Sequence, residues 1–369
     1  MSRWKFIFRK DERKDNKELL QKLSKARTDG TRQLLKVYID VTTRCDGHCL
    51  HCFFHPNHNQ PEMPLEEIFE LQTYLQNGGV EALTYAGGDP IARGDHLRIL
   101  EHGERLGLKQ TFCTRGWLKD LSNIEQVAKA NPEHIQFSCD PVIAGLSIHD
   151  ELERIKQVGE LVSRHPCHVS WVTTLTKGAE QYLVQILEAI KNSGGKEFRI
   201  HRVLPWGRML ENPTLIPTNE EFIATMRSFT QIFFERFANG ILLVEETPST
   251  LRQCLPENTI GRVNMIGCPV GQTALTIGFD GSVYLCPILK HKSLKLGDSW
   301  RLVFEYWDTF QKTAPFSQSV FTGTICEGCN DFNNCLGGCR CQAVAKSGCR
   351  WDVDPTCAFC STKKGANNV

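Results

Sequence analysis

Leu35-Lys36-Val37-Tyr38-Ile39-Asp40-Val41, running through Thr42-Thr43-Arg44 into Cys45-Asp46-Gly47-His48-Cys49-Leu50-His51-Cys52, decides the fold of this chain. The first seven residues are rich in β-branched side chains and read as a strand. Three cysteines follow in the loop that leaves it, with three and then two residues between them. From here a strand-then-helix rhythm runs outward. Further strands are expected over 81–85, 109–113, 134–138, 168–174 and 197–204. The helices between them are expected over 65–76, 97–106, 121–129, 151–164 and 181–192, the first closed by Gly78-Gly79. Six strands alternating with helices need crossover connections, so the sheet is parallel. The pattern stops after Pro205-Trp206-Gly207, short of an eightfold barrel. The expected class is therefore α/β, an open partial (β/α)6 TIM-type barrel. In such sheets sites form at the carboxyl ends of the strands, which is where the three-cysteine loop falls.

On either side of this core the character changes. Residues 1–33 are polar and charged and form an N-terminal extension; 34–240 is the barrel. Thr218-Asn219-Glu220-Glu221 is a capping box that opens one more helix, running to about residue 237. A cysteine-rich region follows over 241–360, with a hairpin signal at Asp280-Gly281 and most of the chain's 17 cysteines, and 361–369 is a polar tail.

The formal net charge of +1 points to neither nucleic acid nor an anionic membrane as partner. No run of apolar residues is long enough to span a bilayer, and Met1 to Lys10 lacks the apolar segment of a secretory signal, so a cytoplasmic location is expected. Seventeen cysteines are then anomalous, because a reducing compartment does not favour structural disulfides and an odd number cannot pair completely. Tight, regular spacings point instead to metal ligands, and thiolates select zinc or iron–sulfur clusters. Three thiolates hold three irons of a cubane and leave the fourth open, as a catalytic site requires. The loop also suits a structural zinc ion with His48, His51 or His55 as fourth ligand.

The arrangement resembles the radical S-adenosylmethionine (SAM) superfamily, whose motif is three cysteines at this spacing after the first strand of a partial barrel. A second likeness follows in Tyr85-Ala86-Gly87-Gly88-Asp89-Pro90, at the end of the second expected strand. There the family carries a glycine-rich motif that meets the SAM amino group; Asp89 replaces the commoner Glu. The resemblance implies a [4Fe–4S] cluster on Cys45, Cys49 and Cys52, with the SAM ammonium received by Gly87, Gly88 and Asp89. It also implies a ribose contact from Ser138 or Asp140, and a pairing of Arg154 with the SAM carboxylate, since guanidinium and carboxylate fit bidentately. Thr174 and Val203 are expected along the adenosine pocket.

Cys326-Glu-Gly-Cys329, Cys335, Cys339 and Cys357, with Cys268 and Cys286 upstream and Gly281 five residues before the latter, resemble the SPASM domain, the auxiliary-cluster extension of many radical SAM enzymes. The resemblance covers about residues 35–360 and implies two more [4Fe–4S] clusters, three in all. One is assigned to Cys326, Cys329, Cys335 and Cys357, the other to Cys268, Cys286 and Cys339. The family's fourth ligand to the latter usually stands about six residues before the position of Cys268, where this chain has Arg262. Either Cys254 completes that cluster or an iron stays open. Cys113, Cys139 and Cys167 read as small buried hydrophobes, while Cys341 and Cys349 have no assigned role and Cys360 is a spare ligand.

The activity implied is reductive cleavage of SAM to a 5′-deoxyadenosyl radical that takes a hydrogen atom from substrate. The expected substrate is a ribosomal peptide, modified by cross-linking, epimerisation or oxidation. The alternative is a small-molecule dehydrogenase acting on an aminocyclitol, sugar or tetrapyrrole. Pro287, where sulfatase-maturing members carry Asp after the residue matching Cys286, speaks against that subclass. Residues 1–33 are too short for the leader-binding domain of many peptide maturases, so a separate leader-peptide-binding protein is an expected partner, beside an electron donor of flavodoxin or ferredoxin type. A non-enzymatic zinc scaffold accounts for the later cysteines but leaves the glycine-rich turn unexplained.

Overall fold

The computed structural model of the chain describes residues 32–54, 62–116, 121–140, 147–237, 241–244, 268–330 and 332–357. The extension up to residue 31, His55, Trp117, Cys254, Arg262, Cys360 and the tail lie outside the described residues. Six strand–helix units follow one another as expected: β1 (Lys36–Thr42), α1 (Leu65–Asn77), β2 (Ala82–Gly87), α2 (His96–Arg105), β3 (Lys109–Thr114), α3 (Leu121–Lys129), β4 (His134–Ser138), α4 (Ile148–Val162), β5 (His168–Leu175), α5 (Leu183–Asn192), β6 (Glu197–Arg202) and α6 (Asn219–Arg236). Neighbouring strands pair in parallel in sequence order. Alternate residues of each strand feed one core between sheet and helices: Val37, Ile39 and Val41 from β1, Leu83 and Tyr85 from β2, Ile135 and Phe137 from β4, Phe198 and Ile200 from β6. The intervening residues, such as Asp40, Thr42, Thr84 and Ser138, therefore face the concave side.

Two helices start where side chains satisfy their first N–H groups. The capping box at Thr218 and Glu221 forms as expected. A second, at Ser147 and Asp150, starts α4 three residues earlier than the expected 151. Its third position holds Asp rather than Glu or Gln, which hid it.

The sheet does not end with the sixth strand. β7 (Leu242–Val244) pairs in parallel with β6, and β8 (Ala274–Ile277) pairs in parallel with the other edge, β1. The turn at Asp280-Gly281 then forms, joining β8 to β9 (Val283–Tyr284), which pairs antiparallel with β10 (Lys295–Gly297). The result is one ten-stranded, mostly parallel sheet, a partial TIM-type barrel with the antiparallel strands added beyond β1. Among the described residues the remaining α-helices are α7 (Val303–Lys312), α8 (Phe332–Cys335) and α9 (Arg340–Ser347). Trp300 donates to Glu67 at 2.9 Å and Tyr74 to the carbonyl of Arg301 at 2.9 Å, which docks the segment before α7 onto α1. No helix among the described residues is long and apolar enough to cross a membrane.

One buried cation fixes where the cysteine loop begins. The Arg93 guanidinium donates to the carbonyls of Val41 and Met63, both at 2.9 Å, and to Asp95. It thereby ties the end of β1 to the entry of α1. Replacing it leaves buried acceptors unpaired, at a cost of about 1–3 kcal/mol. Urea unfolding of Arg93→Met should show that loss, with weaker retention of iron, whereas exposed Arg105→Met should leave both unchanged; equal midpoints for the two variants would remove the clamp.

Candidate active site

Close backbone approach from two sides holds the loop of Cys45, Cys49 and Cys52. At the end of β2, the N–H of Gly88 donates to Thr42 O at 2.9 Å and that of Asp89 to Arg44 O at 2.7 Å. A β-carbon on Gly88 would lie 2.0 Å from the Arg44 carbonyl oxygen, so only glycine permits the contact. At the end of β6, Gly207 has φ +63°, and a β-carbon there would lie 2.4 Å from Cys52 O. Arg208 N donates to that same carbonyl at 3.0 Å. Within the loop, Gly47 N donates to Cys45 Sγ at 3.2 Å and Cys52 N to Cys49 O at 3.2 Å.

Burial pushes the Cys45 thiol up to about 12 and Cys49 up to about 11, the latter opposed by Arg115; Cys52 is raised by burial too. Protein alone disfavours three adjacent thiolates here, and a bound metal would supply the positive charge that favours them. The site thus has the donor chemistry of an iron–sulfur ligand set, and three thiols match a cubane with one open iron.

Around the loop, the polar residues singled out in the sequence are mostly engaged with the chain itself. Asp89 is buried and accepts from Thr114 Oγ1 at 2.7 and 2.9 Å, Arg115 N at 3.0 Å and Ile91 N at 3.1 Å. Burial raises its carboxyl despite these bonds. Asp140 accepts from Thr174 N at 2.6 Å and stands 3.4 Å from His51 Nε2. Burial would raise Asp140, but His51 and Arg115 more than offset it and hold the carboxyl below its ordinary value. Arg154 lies fully buried under the strand ends, donating to Glu151 at 2.9 and 2.7 Å and to the carbonyls of Arg115 and Ser138. Glu151 also takes Arg115 Nη2 at 3.2 Å. Gly87 ends β2 opposite Thr42, and Ser138 ends β4 on the concave side.

The second cysteine region folds against the same mouth. Lys290 reaches from the segment after Cys286 to Asp40 on the concave side of β1, 2.9 Å away, and donates to Pro287 O at 2.8 Å. Burial raises the Asp40 carboxyl and Lys290 opposes that. Gln342 donates to Val203 O at 3.1 Å and Asn219 to Pro355 O at 2.6 Å, closing the region onto the end of β6 and the start of α6. Cys326, Cys329, Cys335 and Cys357 come together: burial raises Cys326 and pushes Cys335 up to about 11, and neighbouring thiols in the set add to both. Cys268, Cys286, Cys335, Cys339 and Cys341 line a cavity of about 350 Å³. Asp354, fully buried, accepts from Cys339 N at 2.6 Å, while its carbonyl accepts from Cys357 N at 3.0 Å, so one residue registers both cysteine sets.

Cys139 and Cys167 are buried as expected, whereas Cys113 is half-buried and Cys349 exposed. Sequence reasoning gave no role to Lys290, Arg115, Asp354 or Cys341, and considered His51 only as a zinc ligand. Cys341 alone carried a signal, two residues after Cys339.

The Gly88 contact generates a direct expectation. Gly88→Ala forces the Arg44 carbonyl away and with it the loop, so reconstituted protein should lose about four irons, one cubane's worth, and its affinity for SAM by equilibrium dialysis. Gly94→Ala, with nothing within 4 Å of the added carbon, should lose neither. Full iron and unaltered SAM binding in Gly88→Ala would show that the close approach is dispensable.

With this geometry in view, the profile of the Radical SAM superfamily matches residues 39–141, from β1 to just past β4. An AdoMet-dependent heme synthase of Oleidesulfovibrio alaskensis is 23% identical over 364 residues, covering 92% of this chain and 90% of that protein. A PqqA peptide cyclase of Streptomyces rochei is 24% identical over 341 residues, covering 87% and 88%. Among solved structures, Streptococcus suis SuiB bound to S-adenosylmethionine shares the fold with a TM-score of 0.68 at 17% identity, over 93% of this chain and 81% of that one. The native anSMEcpe structure with bound AdoMet does so at 0.66 and 18%, over 90% and 99%. With the loop clasped at the strand ends and the cysteine-rich region folded over them, these likenesses identify the chain as a radical SAM enzyme with a SPASM-type C-terminal region.

Proposed function

We propose that this enzyme carries three [4Fe–4S] clusters and modifies a peptide. The observation that carries the reading is the shared mouth: the three-cysteine loop and the second cysteine region meet the same strand ends, joined through Lys290 and Asp40. A SAM-binding cluster held in the loop would supply reductive cleavage of the sulfonium, chemistry able to take hydrogen from an unactivated carbon. Cys45, Cys49 and Cys52 would hold it, and Cys326, Cys329, Cys335 and Cys357 would hold a second cluster. Since the Asp89 carboxylate is engaged by Thr114, Arg115 and Ile91, the strand-end carbonyls beside Gly87 and Gly88 are the better acceptors for the SAM ammonium. Ser138 is retained as a ribose contact. Asp140 and Arg154 are given positioning roles: one reaches His51 in the loop, the other braces the carbonyls of Arg115 and Ser138. The C-terminal region covers the mouth and keeps water from the reacting centre.

Peptide modification is favoured by the similarity to PqqA peptide cyclases and by SuiB, which has also been solved bound to its precursor peptide SuiA. The similarity to an AdoMet-dependent heme synthase supports the second reading, a tetrapyrrole or other small molecule. A flavodoxin- or ferredoxin-type donor, a separate leader-binding protein and a cytoplasmic location complete the proposal.

Iron and sulfide analysis of anaerobically reconstituted protein tests it. Wild type should hold about twelve irons and the Cys45/Cys49/Cys52→Ala variant about eight, from the loss of one cubane, with 5′-deoxyadenosine formation abolished. Zinc, or only about four irons in the wild type, would overturn the three-cluster reading. Deoxyadenosine released faster with a short precursor peptide than with a porphyrin separates the two substrates; the reverse favours the small molecule.

A further inference from the structure

We infer that Cys341 provides the fourth thiolate of the cluster assigned to Cys268, Cys286 and Cys339, in place of Cys254, which makes that cluster closed. The inference rests on the three-cluster reading above. Cys339 caps α9 and Cys341 is the second residue of that helix, so both project from its first turn. Cys341 is 3% exposed, and its thiol neighbours those of Cys286 and Cys339. All three line the 350 Å³ cavity together with Cys268. Cys335 lines it too but belongs to the other cysteine set, so four cysteines remain for this one, and the fourth is a residue to which no role has been given.

The ordinary reading of a buried cysteine is a small hydrophobe, and this chain provides the contrast. Cys139 is also buried, but its thiol donates to the carbonyl of Val172 at 3.3 Å. Cys341 meets other cysteines instead. As a ligand, Cys341 satisfies its polar atom and completes the charge that the irons require. Four protein thiolates leave no open iron, so this cluster serves electron transfer and does not ligate substrate.

The test uses the full-length chain, reconstituted anaerobically, in wild-type, Cys341→Ala, Cys341→Ser and Cys254→Ala forms, with iron content and electron paramagnetic resonance as readouts. Cys341→Ala should fall from about twelve irons to about eight, or convert one cubane to a three-iron cluster with its own signal, while the other two clusters' signals persist. Cys254→Ala should keep full iron and an unaltered spectrum. Full iron with an unchanged spectrum in Cys341→Ala, or loss of the cluster in Cys254→Ala, overturns the inference while leaving the three-cluster reading intact. A wild type with only about four irons overturns that reading itself. Should Cys341→Ala fail to fold, Cys341→Ser decides, because an oxygen ligand shifts the signal of one cluster and a bystander hydroxyl leaves all signals as they were.

Discussion

Everything at the mouth of this barrel depends on how closely three stretches of backbone approach one another. The loop from Arg44 to Cys52 is gripped at Thr42 and Arg44 by the N–H groups of Gly88 and Asp89, and at Cys52 by Gly207 and Arg208. A β-carbon at Gly88 or Gly207 would lie 2.0 or 2.4 Å from a loop carbonyl oxygen, well inside contact distance. Polar groups in a half-buried loop must find partners, and backbone donors from flanking strand ends provide them without demanding room. The three thiols are thus presented on a frame set by β1, β2 and β6, strands whose opposite faces are locked into the core.

Beneath this clasp lies a layer of buried charge. Arg154, Glu151 and Arg115 form one network, Asp140 and His51 a pair, and Asp40 meets Lys290 from the cysteine-rich region. Each charge buried near an active centre costs desolvation, and breaking any one pair leaves its partner stranded. Such groups are poor sources of stability but strong determinants of geometry. Arg154 illustrates this: two of its donors are spent on backbone carbonyls at the ends of β3 and β4, where those strands hand over to the site.

Legibility in the sequence followed the range of the interactions. Local patterns gave the six strands and their helices nearly residue by residue, because alternation and helical periodicity are written within each segment. β7 and β8 were not legible: the first has only three residues, and the second pairs with β1 more than two hundred positions away. At the site, spacing singled out the cysteines that the structure gathers near one another, since such intervals are written within short segments. The roles of Asp89, Asp140 and Arg154 were harder to read. A carboxylate or guanidinium looks equally ready for ligand or chain until its partners are known, and here Thr114, Thr174 and the Arg115 carbonyl come from 25 to 39 residues away.

The same reasoning explains why the fourth thiol of the cavity was hidden. A spacing motif counts intervals between residues already taken as ligands, so Cys341, two positions past Cys339, falls between counts. In space, Cys339 and Cys341 flank the start of α9 and both line the cavity, and Cys286 arrives from the segment that follows β9. Asp354 then matters twice over, because it holds the N–H of Cys339 at the start of that turn and, through its carbonyl, the N–H of Cys357 of the other set. One buried residue thus contacts both cysteine sets, through its carboxylate on one side and its backbone carbonyl on the other.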